Sequence, residues 1–370
     1  MSDSSPEAVK GPQPALEQLP NLAIAKAEWT RLAQLGGNVF GTWDWANCWY
    51  KHLGAGARLA LAVARRPDGE AVAILPIYVA RERPVRLTRF VGAGLSDELG
   101  PVCAPPDVRF AGAALRHHID ETLGKAGLFL GERLRDEGPL RSTLDATTVL
   151  RAASPVLEIE GGTFDEFLAS RSRNLREQVR RRERKLAREE NLSYRLTQDP
   201  DQLDGDMEIL MRLHAARWAD GQSRVFDGPR AQFHLDFARR ALENGWLRLW
   251  TMELRGRPVA SWYGLRFGGA ETYYQAGRDP AYGSMNVGFV LLCHTIRCAF
   301  EDGMRCYRFG SGDEAYKSRF ADDGPGLRTV AIATGVRGRM SLLAMRAALR
   351  MPNRARNHLL QLGVRRSNVD

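Results

Sequence analysis

The sequence predicts an α+β protein with mixed sheets, built as two successive modules. Three observations carry that expectation. The chain has 370 residues, too many for one ordinary hydrophobic core. Strand-like and helix-like segments are mixed, with a run of three strands that no helix interrupts. Both halves also pass through a similar order of elements. With 44% hydrophobic and 26% charged residues the composition is that of a globular chain. No apolar run reaches the ~18 residues that span a bilayer.

Residues 1–20 are polar and contain proline, without a basic segment followed by an apolar one. They read as a disordered leader and not as a signal peptide. The first module is expected over 21–160. In it "TWDWANCWYKHL" (42–53) has helical character. Segments 58–66 and 71–80 alternate as strands around a turn at Pro67, Asp68 and Gly69. Residues 85–92 follow as a third strand, 108–123 as an amphipathic helix and 126–132 as a buried strand.

A strand at 155–160 opens the second half, whose module is expected over 161–336. Thr163 and Glu166 have the spacing of a capping box, and the helix they begin is expected to run through the basic segment to Glu190. A strand at 192–198 and helices at 203–219 and 229–244 come next, the last ended by Gly245. Segments 246–254, 257–267 and 270–278, joined by Arg-Gly and Gly-Gly turns, form an antiparallel meander. A helix at 286–303, a strand at 304–309, the polar stretch "GSGDEAYKSRF" (310–320) and a strand at 326–334 complete the module. Residues 337–370 form a basic amphipathic tail.

The five cysteines include no CxxC pair, which argues against a disulfide framework and against a zinc site. No metal is expected, and a reducing cytoplasm fits best. The net charge of +9 resides in two places. Residues 337–370 hold eight arginines and one acid, and "RSRNLREQVRRRERKLAR" (171–188) holds nine basic and two acidic residues. The remainder is mildly acidic, so nucleic acid is disfavoured as a partner of the whole surface. The tail, through "MSLLAMRAALRM" (340–351), suits peripheral contact with an anionic membrane or a membrane-bound synthase.

The order of elements in the second half, with "RSRNLREQVRRRERKL", "LHAARW" (213–218), "RAQFHLDFARRALENGWLRLW" (230–250), "GRPVASWYG" (256–264) and "GDEAYKSRF" (312–320), resembles the GNAT-like acetyltransferases of the CelD-type, BioF2-like group. That group accompanies cellulose and exopolysaccharide synthesis. "FGTWDWANCWYKHLG" (40–54) resembles the opening of these proteins. The resemblance covers about 35–335 and implies tandem GNAT-like acyl-CoA N-acyltransferase modules, the first degenerate. It also implies distant kinship to Fem-type aminoacyl transferases, although the sequence shows no long antiparallel helical arm.

Under that resemblance the fourth and fifth strands of the second module splay apart to admit acetyl-CoA or another acyl-CoA. The pantetheine arm would lie along Gln275, Ala276 and Gly277. The pyrophosphate would sit at Asn286, Val287 and Gly288, where backbone N–H groups and the helix dipole favour an anion. Acyl transfer needs a base, a polarised carbonyl and a proton for the leaving thiolate. Asp313 or Glu314 is a candidate base, Tyr316 a proton donor, and Lys317 an oxyanion or phosphate ligand. The bland alternative is the first turn of a helix with Asp313 as its cap and an exposed Asp313–Lys317 pair. Arg173, Asn174 and Arg176 are candidates for an acceptor groove, and Trp218 for its wall.

Three functions are compatible with these residues. One is acyl transfer from acyl-CoA to an amine or hydroxyl of a saccharide or its precursor. Another keeps the fold and takes aminoacyl-tRNA as donor. The last is a non-catalytic accessory of a polysaccharide synthase.

Overall fold

In the computed structural model, which describes residues 15–349 apart from 84, 137, 219–222 and 322–323, the chain forms two mixed sheets. Its first half contains β1 (Ala15–Leu19), α1 (Lys26–Gly36), α2 (Trp43–Leu53), β2 (Arg58–Arg65), β3 (Ala71–Arg81), β4 (Arg86–Phe90), β5 (Val102–Cys103), α3 (Val108–Leu123), β6 (Gly127–Arg135), α4 (Pro139–Leu144) and β7 (Thr147–Ala152). Then come β8 (Val156–Glu158), α5 (Phe164–Ser170), α6 (Arg173–Glu190), β9 (Leu192–Leu196), α7 (Pro200–Arg217) and α8 (Pro229–Glu243). The chain continues with β10 (Leu247–Leu254), β11 (Arg257–Phe267), β12 (Ala270–Arg278), α9 (Val287–Glu301), β13 (Cys306–Arg308), β14 (Leu327–Thr334) and α10 (Gly335–Leu349).

The first sheet runs β1-β2-β3-β4-β6-β14-β7, with β5 on β3; the second runs β8-β13-β12-β11-β10-β9. The two sheets repeat one design: antiparallel strands, then one parallel pair joined by a crossover helix. In the first sheet that pair is β4 and β6, connected through α3; in the second it is β12 and β13, connected through α9. The two pairs differ in one respect that matters. Four successive residues of the five-residue β4, Arg86 to Arg89, pair with β6, so that junction is closed. Only Ala270, Glu271 and Thr272 of the nine-residue β12 pair with β13. These are tandem GNAT-like modules, and only the second is open.

Turn chemistry sets the meander. Arg255 and Gly256, and Gly268 and Gly269, all have positive φ, which is what two-residue turns between twisted strands require. Helices α7 and α8 cover one face of the second sheet, and α5, α6 and α9 the other. The α7–α8 face is shared with the first module. There Trp45 of α2 lies edge-on to Phe233, Phe237 and Tyr274, with ring centroids 4.8, 4.7 and 5.6 Å away. The apolar core is therefore continuous across the modules.

Several expectations change. The capping box at Thr163 and Glu166 forms, but its helix stops at Ser170. Ser172 caps a new helix by accepting from the Leu175 N–H, so 164–190 is two helices and not one. The strand expected at 326–334 leaves the second module and pairs between β6 and β7 in the first sheet. The strand at 155–160 does the converse, pairing with β13. Residues 15–19, counted with the leader, are an edge strand; 1–14 lie outside the described residues. The tail begins as α10, packed on β6 and β14, while 350–370 lie outside the described residues. Among the described residues no helix is long and apolar enough to cross a membrane.

Candidate active site

The opening begins where β12 parts from β13. Opposite this point the register of β11 against β12 shifts, leaving Tyr274 as a bulge. A bulge turns neighbouring side chains to the same side. Tyr274 and Gln275 both face the α7–α8 side: Tyr274 meets Trp45 of α2 and His234 of α8 in the intermodule core, and Gln275 bonds His214 of α7. Tyr273 and Ala276 face the α9 side. Beyond Thr272, no strand pairs with the outer edge of β12 among the described residues. Apart from the Ala276 carbonyl, which accepts from Arg217, that edge is open to an extended ligand.

Gly277 has a structural duty here. A Cβ on it would lie 2.3 Å from the His214 backbone nitrogen, so only glycine lets α7 lie against β12. His214 is buried, and desolvation lowers its pKa to about 4, with Arg217 adding to the effect. The ring is neutral at pH 7, and Ser223 Oγ lies 3.2 Å from its Nε2. Arg217 donates to the Ala276 carbonyl at 3.4 Å and stacks on Trp218, 4.9 Å from the ring centre.

At the far end of the edge, Asn286 adopts a left-handed conformation and starts α9 without a side-chain cap. Val287 is buried, and Gly288 lies against Arg278. A polar cleft of about 770 Å³ opens between this turn and α6, lined by Arg181, Arg182, Lys185, Glu189, Glu190 and Asn286 among others, with Lys185 paired to Glu189. Phe289, in the first turn of α9, carries the Arg182 guanidinium 5.2 Å and the Arg319 guanidinium 5.1 Å from its ring centre. Burial lowers the Arg182 pKa, and its like-charged neighbours Arg319 and Arg181 lower it further. Two guanidiniums meeting on one ring at the start of α9 favour an anionic ligand at that end of the cleft.

The loop 310–320 follows β13 directly. Lys317 is 2% exposed, and its ammonium donates to the carbonyls of Ser311 and Gly312 at 3.0 and 3.4 Å. It pairs with Glu314 at 2.7 Å. The expected Asp313–Lys317 pair on a helix does not form: 310–316 is irregular backbone, and only Lys317–Arg319 makes a 3₁₀ turn. Asp313 is exposed. Partial burial opposes the Glu314 charge, but the Lys317 ammonium outweighs it and holds the carboxyl below its usual range. Burial pushes the Tyr316 phenol well above its usual value, and the neighbouring Tyr273 and Glu314 add to this. Tyr316 therefore keeps its proton at neutral pH.

Sequence reasoning missed the first module's contribution. Asp97, in the loop after β4, pairs with Arg133 of β6. Lys317 and Glu314 are close enough to act on its charge. A Cβ on Gly310 would sit 2.8 Å from Asp97 Oδ2 and 3.1 Å from the Tyr273 carbonyl, so Asp97 lies over the point where the strands part. Burial raises its pKa, against the pull of Arg133 and Lys317. Its loop is fixed by the Tyr274 hydroxyl donating to the Leu95 carbonyl at 3.0 Å and by the Trp45 indole donating to Ser96 Oγ at 2.8 Å. Asp97 sits in "GAGLSDELG", a glycine-rich loop that holds two carboxylates; that cue was visible, but its place over β12 is purely tertiary.

The structure brings Gln275, Ala276, Tyr316, Lys317, Glu314 and Trp218 to one opening. It places Arg173, Asn174 and Arg176 elsewhere. Arg173 pairs with Glu177 on the α6 surface, Asn174 accepts from Gln178, and Arg176 holds the α5–α6 corner through the carbonyls of Ala169 and Arg171. Gln178 in turn accepts from Arg319 at 2.9 Å, a link from this segment to the site. Among the described residues no group of three His, Cys, Asp or Glu is placed to hold a metal ion.

No curated protein sequence matches the chain. Among solved structures it is similar in fold to FemX, at 13% identity, over 88% of this chain and 99% of that one, with a TM-score of 0.61. It is similar to a conserved protein of unknown function from Bacteroides thetaiotaomicron VPI-5482, at 11% identity, over 86% and 100% of the two chains, with a TM-score of 0.55. L-PGS from Bacillus licheniformis gives 12% identity, 89% and 95% coverage, and a TM-score of 0.54. Residues 173–318, which hold β9 to β13, the cleft and most of the Lys317 loop, match the model of the Acetyltransferase (GNAT) domain, and the second module shares the GNAT fold.

Proposed function

We propose that the chain transfers an acyl group from an acyl-CoA thioester to an amine or hydroxyl of a saccharide or saccharide precursor, as a member of the CelD-type, BioF2-like group. The observation that carries this reading is the parting of β12 from β13 after Thr272, with Asp97, Tyr316 and Lys317 around the gap. The pantetheine amides pair with the free edge of β12 at Gln275–Gly277. The donor's phosphates lie at Asn286–Gly288, between Arg182 and Arg319.

In this reading Asp97 accepts the proton of the attacking amine or hydroxyl. Its raised pKa brings it nearer the working pH, which suits a base. Lys317, its ammonium held by the carbonyls of Ser311 and Gly312 and by Glu314, fixes the loop that carries Tyr316. A phenol raised above its usual range is a weaker acid than a thiol, so Tyr316 stabilises the leaving thiolate by donating a hydrogen bond rather than by full proton transfer. Glu314, occupied by Lys317, is a poorer base than Asp97, and the exposed Asp313 is peripheral.

A second reading keeps the acceptor and takes aminoacyl-tRNA as donor. It is favoured by the size of the cleft beside Arg181 and Arg182, which exceeds what one pyrophosphate needs. Purified chain is to be offered acetyl-CoA with panels of amino sugars and hydroxyl acceptors, and thiol release followed. The same panels with charged tRNA test the second donor. Thiol release that depends on acceptor supports the first reading; transfer from charged tRNA alone overturns it.

A further inference from the structure

We propose that α10 docks the protein on an anionic lipid surface, in addition to its place in the fold. One face of α10 is already used. Gly338 is buried against the Gly127 carbonyl, so closely that a Cβ would lie 2.2 Å from that oxygen. Leu342 and Met345 pack with Val85, Leu128 and Ala331 on the first sheet. The helix is therefore held rigidly and cannot turn its other face inward.

That other face is also apolar. Val336, Met340 and Leu343 are 79, 61 and 58% exposed and recur at the spacing that aligns side chains along one helix stripe. Three of the six large hydrophobics that the described residues expose thus lie on this one helix. Scattered exposed apolar residues are ordinary; an aligned set on a fixed helix marks an interaction surface. Arg337, Arg339 and Arg346 are exposed beside it. They are the charged residues of α10, which contains no acid.

Apolar side chains flanked by arginine, with no acid, complement a surface that is apolar within and negative outside. An acidic protein partner would match the charge but offers no reason for the stripe, and a second copy of this helix would bring arginines against arginines. The lipid surface meets both features at once. Each arginine near such a surface strengthens binding about fivefold.

The test is sedimentation of the full chain with vesicles of phosphatidylcholine, alone or mixed with phosphatidylglycerol. Binding is expected to the mixed vesicles and to weaken with salt. Met340→Asp with Leu343→Asp should reduce it at least tenfold while leaving the melting temperature unchanged, because both side chains already face water. Leu343→Trp should bind as the parent does and show a blue shift of its added fluorescence on the mixed vesicles. Undiminished binding by the double aspartate variant, or no blue shift, overturns the proposal. So does a parent dimer that the aspartates convert to a monomer, which would assign the stripe to a second copy.

Discussion

Asp97→Asn is the substitution that bears most on how the two modules cooperate. The change keeps the shape of the side chain and removes its charge. Arg133 retains an oxygen to donate to, and Lys317 retains Glu314 at 2.7 Å. Breaking one side of a fully buried ion pair costs about 3–5 kcal/mol. Arg133 is 40% exposed, so water takes up part of that loss, and about 1–2 kcal/mol is expected. Removal of a general base lowers turnover about 10²–10⁴-fold. The two effects separate in a pH profile. In the parent, activity needs the Asp97 carboxylate, and burial raises its pKa. Parental kcat/KM should therefore fall as pH drops through a value above the usual aspartate range, and the variant should lack that limb. The assay is thiol release at saturating acyl-CoA across pH. Near-parental turnover in Asp97→Asn, or an unchanged acid limb, would refute the role given to the first module.

Tyr316→Phe should lower turnover about 10–100-fold with little change in melting temperature, since it removes a hydroxyl and no packing. Lys317→Ala should lower turnover about 10²-fold by misplacing the loop and also reduce the melting temperature, because two loop carbonyls lose their donor; thermal scans beside kinetics check both. Arg182→Glu should weaken acyl-CoA binding about tenfold or more by calorimetry, with kcat at saturation little changed. Gly277→Ala should cost about 3 kcal/mol in denaturant unfolding, since its Cβ would meet the backbone of α7 at 2.3 Å. Finally, burial lowers the pKa of His214 to about 4 and of His234 to about 3. The unfolded chain then binds more protons below pH 6.5. Their contribution is full above that value and is lost as pH falls, by about 1.4 kcal/mol per pH unit for each histidine. The melting temperature should decline from pH 6.5 toward 4, and less steeply in a His214→Gln variant.

Much of the second module was legible because its signals are local. The turns at Arg255-Gly256 and Gly268-Gly269, the Thr163–Glu166 cap and the helical period before Glu301 act within a few residues. The loop 310–320 was also found as a place, since a buried strand ends there in glycines. Its internal pairing was not: spacing put Asp313 with Lys317, while the irregular backbone delivers Glu314. What remained hidden is tertiary. β14 reads as an ordinary strand, and nothing in its residues says that it crosses to the other sheet. The arginines of α6 look alike in sequence, yet Arg173 and Arg176 are spent on local contacts while Arg182 reaches Phe289. Asp97 lies about two hundred residues from the strand edge that it overhangs, a separation that no periodicity bridges.

The central claim is that an acyl-CoA lies along the free edge of β12 and ends at α9. Hydrogen exchange of the full chain with and without acetyl-CoA tests it most directly. Backbone N–H groups of Gln275–Gly277 and of Val287–Phe289 should exchange more slowly with the thioester present, and Arg182→Glu should weaken that protection. Unchanged exchange at both segments under saturating acetyl-CoA, or protection confined to other parts of the chain, would contradict the account.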